Sequence, residues 1–339
     1  MSRLRHSLTQ AWLTRGPLAW GLRPISLCFE WLVACRLWLY RLGVLRPRHL
    51  RVPVVVVGNV LVGGVGKTPV VIALVKHLQQ RGLCVGVLSR GYGRASRDVR
   101  EVQPNSRATD VGDEPLLIAR SCSVPVWVGA NRVEAGQSLL EHHPKTQVLV
   151  CDDGLQHLPL ARDIELCVFD ERGIGNGWML PAGPLREPWP RAENLGVDRF
   201  ELSHGEAPTS GRFQVHRQLT DFAIRADGTR RPFPSGFAKP VQALAGIAKP
   251  QVFFSMLEEF GLTLTHAQAL PDHADLQGIS IDHAQGELLC TEKDAVKLWI
   301  DHPEVWAIPL KTTLPNELLL ALDACLDRRL SSHHGLKIT

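Results

Sequence analysis

The stretch VPVVVVGNVLVGGVGKTP, residues 52–69, decides the fold. Its apolar, β-branched run from Val52 to Val57 reads as a buried strand, which Gly58-Asn59 brings to an end. A loop with Gly63, Gly64 and Gly66 follows, and Lys67-Thr68-Pro69 opens a segment of helical periodicity. Strand, glycine loop, Lys-Thr and helix is the order in which a P-loop cradles nucleotide phosphates. Small residues let backbone N–H groups approach the phosphates, the lysine reaches the β/γ oxygens, and the threonine hydroxyl meets Mg²⁺. The strict G-x-x-x-x-G-K-T pattern asks for glycine at 61, where this chain has Leu61.

The surroundings fit an α/β domain. From Val52 to about Phe200, apolar strand-like runs alternate with helical segments, as a parallel sheet requires. Strands are expected at 85–89, 147–151 and 164–169, and helices at 69–80, 114–121 and 132–142. Residues 173–194 are rich in Gly, Pro, Trp and Arg and lack a period. The reading of the whole chain is a basic helical segment (1–50), a P-loop domain (51–203), a linker with short strands (204–240), a smaller α/β domain (241–332) and a tail (333–339).

Val148–Cys151 runs into Asp152-Asp153, an apolar strand ending in adjacent carboxylates, where Mg²⁺ or its water shell can be held. Asp113, in Gly-Asp-Glu-Pro, has the position of a helix N-cap. Arg132 suits either phosphate oxygens or a surface ion pair. Arg186 and Glu187 lie together in the irregular loop, His273 follows Pro271-Asp272, and Thr291-Glu292-Lys293-Asp294 reads as a helix start.

The chain has 339 residues and a net charge of +4, unevenly placed. Up to Arg51 it carries nine arginines against the single acid Glu30. Residues 25–45 are long and apolar enough to span a bilayer but contain Glu30, Arg36 and Arg41. Each such charge costs about 2.5–3.5 kcal/mol at the bilayer centre, so a helix lying in the interface is expected, anchored by Trp20, Trp31 and Trp38. The anionic partner is then a membrane surface and not nucleic acid. Eight cysteines without a C-x-x-C pair read as buried, reduced thiols.

Taken in order, these motifs resemble the tetraacyldisaccharide 4′-kinases of lipid A biosynthesis. The resemblance runs through Gly63-Gly64-Val65-Gly66-Lys67-Thr68, Ser89-Arg90-Gly91-Tyr92, Gly112-Asp113-Glu114-Pro115, Asp152-Asp153-Gly154-Leu155-Gln156-His157, Leu180–Glu187, Pro271-Asp272-His273 and Thr291–Asp294. It implies a P-loop kinase-like sheet domain with a second, smaller α/β domain and an N-terminal amphipathic membrane-associating helix. It implies transfer of the ATP γ-phosphoryl to the 4′-hydroxyl of an acylated glucosamine disaccharide 1-phosphate, by a monomer at the cytoplasmic face of the bacterial inner membrane. Asp113, His273 and Lys67 would be catalytic. Leu61, Val62, Gly63, Gly64, Val65, Gly66, Lys67, Thr68, Arg132 and Arg186 would surround ATP, and Thr68, Asp152, Asp153 and Glu187 would serve Mg²⁺. Two other readings compete: a partitioning-type regulatory ATPase bound to the membrane, and a soluble small-molecule kinase. The first carries a lysine directly before its glycine pair, where this chain has Val62.

Overall fold

The structure is a computed structural model in which residues 9–191, 196–204, 212–237, 240–282 and 286–335 are described, 332–335 by backbone only. Arg3 and Arg5 of the basic segment, 205–211 and 238–239 of the expected linker, and 336–339 of the expected tail lie outside the described residues.

A long helix, α1 (Pro17–Arg41), precedes the sheet. The P-loop stretch then forms β1 (Val54–Gly58) and α2 (Lys67–Gln80). There follow β2 (Val85–Ser89), β3 (Arg100–Glu101), α3 (Ala108–Val111), α4 (Asp113–Cys122), β4 (Val126–Val128), α5 (Arg132–His142), β5 (Val148–Asp152), β6 (Ile164–Phe169), β7 (Asp198–His204) and β8 (Phe213–Leu219). Their order across the sheet is β8-β7-β6-β1-β5-β2-β4-β3, parallel except for the short β3. Every residue of β1 is buried because helices cover both faces. Val55 and Val57 pack with Val70, Val71, Leu74 and Leu78 of α2, while Val54 and Val56 pack with Val133 and Leu139 of α5. Gly58, Ser89 and Asp152 stand at the carboxyl ends of adjacent parallel strands, the edge where open α/β sheets bind ligands.

A second unit is built from β9 (Phe222–Ile224), β10 (Arg230–Pro232), β11 (Val241–Ala245), α6 (Pro250–Glu259), β12 (Leu264–Ala269), β13 (Leu288–Thr291), α7 (Glu292–Leu298) and β14 (Trp306–Ile308). Its sheet has the order β10-β9-β14-β13-β11-β12. The chain then returns: β15 (Leu310–Thr313) pairs antiparallel with β8, at the edge of the first sheet. The last helix, α8 (Asn316–Gly335), buries Leu318, Leu322 and Leu326 in the first unit's core. Each fully buried leucine is worth about 1.5–3 kcal/mol, so α8 is fixed to that unit.

This arrangement differs from the boundaries expected from sequence. Part of the 204–240 segment is sheet: β8 belongs to the first unit, and β9 and β10 to the second. The smaller body covers 222–308, and residues 310–331 belong to the first unit's packing instead of to a domain ending at 332. Helical periodicity identified α8 correctly as a helix, but periodicity carries no information on which core receives it.

Helix α1 docks by a narrow stripe. Ala19 and Ser26 are buried, Ser26 Oγ donates to the Met179 carbonyl at 2.8 Å, and Phe29 and Val33 reach the first unit's core. Two of its charges lie on this inner side, where Arg23 pairs with Glu30 and stacks over Trp178 at 4.8 Å, while Arg36 and Arg41 are exposed. The outer side carries Trp20, Ile25, Leu27, Trp31, Leu32 and Trp38, all exposed. At 100° per residue these outward side chains fill an arc of roughly 160°. Arg23 and Glu30 thus face the protein and not the outer arc. All eight cysteines are free, as expected, but Cys28 and Cys84 are exposed and not buried.

Candidate active site

Two clusters meet at the carboxyl edge of the first sheet. The first is made wholly by the first unit. Gly63 (φ 102°) and Gly66 (φ 78°) take the left-handed backbone that turns the loop into the start of α2. Lys67, the first residue of that helix, donates to Asn59 Oδ1 at 3.1 Å and lies 3.5 Å from Asp153. Thr68 beside it is buried.

Asp152 and Asp153 end β5 with different environments. Asp152 is 1 % exposed, and burial, Glu114 and Asp153 together push its carboxyl up to about 7. Its Oδ2 accepts a long bond from Ser89 Oγ at 3.4 Å, and its Oδ1 is buried without a partner. Burial also pushes Asp153 upward, but Lys67 and Arg186, 3.4 Å away, outweigh it and hold the group below the ordinary carboxylate range. Asp152, with an orphaned oxygen and two more acids acting on it, is left under-neutralised even with Lys67 nearby. That donor set fits a divalent cation.

Arg132 is buried at the first turn of α5, donating to the carbonyls of Ala130 at 3.0 Å and Asp153 at 3.4 Å. Gln156 and His157, to which sequence assigned no role, bind this cluster together. Gln156 Nε2 donates to the Asn59 carbonyl (3.0 Å) and Glu187 Oε1 (2.7 Å), and its Oε1 accepts from Arg186 at 3.3 Å. His157 Nε2 accepts from the Arg132 backbone N–H at 3.3 Å. Burial and the charges of Arg132, Arg162, Arg36 and Arg90 depress its pKa to about 4, which keeps it an acceptor.

Three sequence assignments need revision. Leu61 is fully buried in the core and bridges to Leu185, while the Val62 N–H donates to the Pro184 carbonyl at 2.9 Å. The Leu61 side chain and the Val62 amide are thus spent on anchoring the irregular loop, not on phosphate. This also explains why glycine is absent at 61: the position is a core position. Glu187 is buried, paired with Arg191 at 3.0 Å and bound to Gln156, so both its oxygens are engaged in bracing the loop.

The second cluster joins both units. Gly112 (φ 95°) packs so closely that a Cβ there would lie 3.0 Å from the Gly91 Cα, which sets the start of α4 against the 90–93 loop. Gly112, not Asp113, is the N-cap; Asp113 is the first helical residue. His273, 160 residues away and held at φ 60°, donates from Nδ1 to Asp113 Oδ2 at 3.0 Å. Burial pushes Asp113 up, but the His273 bond, Lys293 and Lys297 more than offset it and the carboxyl lies below its ordinary value. The same bond raises His273. Among the described residues, the three non-glycine positive-φ residues are Ser123, Asp153 and His273, so two of the three are expected site residues.

Sequence reasoning missed Lys293. Thr291 caps α7, accepting from the Asp294 N–H as the motif suggested, and this aims Lys293 across the cleft. Its Nζ lies 3.1 Å from Glu114, 3.0 Å from Asp272 and 3.4 Å from His273 Nε2. Burial lowers this ammonium, but Glu114, Asp113 and Asp272 raise it further, so it stays charged. The only local signal was a lysine two residues past a strand end.

Above the P-loop, the second unit approaches at Ala248 and Lys249. A Cβ on Gly64 would sit 2.7 Å from the Ala248 Cβ, and Lys249 pairs with Asp170 at 3.0 Å and with Glu171. The two units therefore meet around the cleft at Lys249 on one side and at Asp113, His273 and Lys293 on the other.

Comparisons with known proteins place the chain in a family. The family profile described as tetraacyldisaccharide-1-P 4′-kinase matches residues 18–327. The tetraacyldisaccharide 4′-kinase of Acidovorax ebreus is 52% identical over 334 residues, covering 98% of both chains. That of Leptothrix cholodnii is 44% identical over 341 residues, covering 95% of this chain and 97% of the relative. A crystal structure of LpxK from Aquifex aeolicus in complex with ATP, 30% identical, superposes with a TM-score of 0.77 and covers 92% of this chain and 99% of that one. With its P-loop, its paired aspartates and these relatives over nearly its full length, the chain belongs to the tetraacyldisaccharide-1-P 4′-kinase family.

Proposed function

We infer that this chain is an ATP-dependent kinase of lipid A biosynthesis that transfers the γ-phosphoryl group of ATP to the 4′-hydroxyl of a tetraacyldisaccharide 1-phosphate, giving lipid IVA. The observation that carries the finer reading is the Asp113–His273 pair, made between two units at 3.0 Å beside the P-loop domain's paired aspartates. Phosphoryl transfer needs positioning and charge neutralisation more than covalent chemistry. Lys67 and the loop amides at 63–66 hold the β/γ-phosphates, with Arg132 and Arg186 at their flank. Asp113 accepts the hydroxyl proton, and His273 Nδ1–H holds the carboxylate in place. Lys293 donates to His273 Nε2 and ties the histidine's unit to Glu114, so the dyad forms when the units close.

Thr68, Asp152 and Asp153 would hold Mg²⁺, which supplies charge neutralisation on the transferring phosphoryl. The orphaned Asp152 Oδ1 supports that assignment. The outward apolar arc of α1 supports peripheral attachment to the inner membrane, at the cytoplasmic face where ATP is available. A single copy of the chain suffices for this reading, since Asp113 and His273 come from one chain.

Purified protein incubated with γ-labelled ATP, Mg²⁺ and the tetraacyldisaccharide 1-phosphate in mixed micelles should label the lipid at the 4′ position. ATP turnover without lipid labelling would sink this reading. Flotation with anionic vesicles tests the membrane face, where recovery in the soluble fraction alone counts against it.

A further inference from the structure

On the kinase reading above, Asp113 must keep one oxygen open to the acceptor hydroxyl. Its Oδ1 already accepts from the Glu114 backbone N–H at 2.9 Å, and its Oδ2 from His273 at 3.0 Å. Two ammonium groups stand just outside hydrogen-bond range of Oδ2, Lys297 at 3.8 Å and Lys293 at 3.9 Å. A charge-assisted bond is stronger than the same pair held apart, so each lysine would close on that oxygen if nothing else held it. Lys293 is held by Glu114 at 3.1 Å and Asp272 at 3.0 Å. What holds Lys297 lies wholly inside the second unit.

Lys297 lines the cavity of about 210 Å³ that contains Asp113 and His273. Its Nζ donates to the Ala274 carbonyl at 2.9 Å and lies 3.4 Å from Asp294 Oδ1. Asp294 is 0% exposed and is no part of the cavity wall. Two donors fix its Oδ2, the Gly246 N–H at 2.8 Å and Thr291 Oγ1 at 2.7 Å. Its Oδ1 accepts no hydrogen bond and is left to the Lys297 ammonium, three residues on along α7. A buried carboxylate is costly unless a fixed cation answers it. Among the described residues that cation is Lys297, and Asp294 therefore shares it with Asp113 across the cleft.

We propose that Asp294 is a positioning residue that tethers Lys297 at a stand-off from Asp113. At that distance the ammonium supports the carboxylate's charge without occupying the oxygen that the acceptor hydroxyl needs. The tether rests on the kinase reading, with Asp113 as proton acceptor. It gives a buried acid outside the substrate cavity a part in the transfer step.

The test is a cycle of variants assayed for transfer from ATP to the tetraacyldisaccharide 1-phosphate. Asp294→Asn keeps the side chain's shape but gives up the charge that holds Lys297 back. The ammonium should then close on Asp113, and kcat should fall about tenfold. KM for ATP should stay within about twofold, because the phosphate end is built from the first unit. Lys297→Met removes the cation and should lower kcat only about threefold. The double variant decides. With no ammonium left to release, Asp294→Asn should cost nothing further in the Lys297→Met background. Gly246→Ala would place a Cβ 2.8 Å from Asp294 Oδ1 and disturb the tether without changing a charge. It should lower kcat in the wild-type background and not in the Lys297→Met background. Losses that multiply in the double variants overturn the proposal, since they leave Asp294 a support of the fold alone. An unchanged kcat in Asp294→Asn overturns it too. Absence of transfer by the wild-type enzyme is a different result, and it removes the kinase reading itself.

Discussion

The phosphate end and the acceptor end of the cleft are built in opposite ways. The phosphate end comes from one unit and from short stretches, with Lys67 eight residues from Asn59 and Asp152 next to Asp153. Its geometry is complete before the second unit is considered. The acceptor end exists only as a contact: Asp113 and Glu114 from the first unit, His273 and Lys293 from the second. A site of the first kind can bind its ligand in an open molecule, whereas one of the second kind works only in the closed one. On the reading proposed above, nucleotide uptake in the open form would leave the enzyme unable to spend it on water.

Substitutions at the two ends should therefore fail differently. Lys67→Ala should be the most severe, lowering kcat/KM by roughly 10³-fold or more with loss of nucleotide affinity, read by titration with a fluorescent ATP analogue. Asp113→Asn should lower kcat by roughly 10²–10⁴-fold while the same titration stays close to wild type. Equal losses of affinity in both variants would break the division drawn here.

Lys293→Met sharpens it. The lysine opposes the burial that pushes Asp113 upward, so its removal raises the Asp113 pKa. The acid limb of kcat/KM should move to higher pH, with kcat at its plateau down by roughly 10–100-fold. An unmoved acid limb would reduce Lys293 to a strut. Gly64→Ala probes closure from within the phosphate loop, and titration with the ATP analogue separates an effect on the loop from one on closure. Its Cβ would meet the Ala248 Cβ at 2.7 Å, holding the units apart, and a loss of about tenfold in kcat with ATP affinity kept is expected.

The mildest effect is a proton count. Asp152 is raised to about 7, so part of its population is protonated near neutrality and must ionise to accept a cation. Binding of Mg·ATP should release up to about one proton at pH 6–7 and strengthen as pH rises, measured by calorimetry in buffers of different ionisation enthalpy. Asp152→Asn should abolish that release.

The same division explains what could be read from sequence. Strand, loop and Lys-Thr are contiguous, so the P-loop and the β5 aspartates are legible from local pattern alone. Leu61 was misread because the motif describes spacing and cannot tell a backbone contact from a core side chain. His273 and Asp113 looked like a loop histidine and a helix cap, and only the resemblance to a known family joined them. Lys293 was missed because its role depends on a cap at Thr291 and an acid at Glu114 almost 180 residues away. The end of the second unit was misplaced for a comparable reason. Pairing of β15 with β8 is a long-range event with no mark in either strand.

That return has a mechanical meaning. The chain passes between the units twice, after Leu219 and after Ile308, and the two passages run side by side. The Thr220 N–H donates to the Pro309 carbonyl at 2.9 Å, pinning one crossing to the other. A body hung on one strand can swivel in any direction; hung on two neighbouring strands, it can fold about the line between them but resists twisting. The insertion thus turns a flexible tether into a pair of knuckles. His273 and Lys293 are carried on a leaf whose hinge line lies far from the chemistry, and a closure about that line would bring them back to the same two acids.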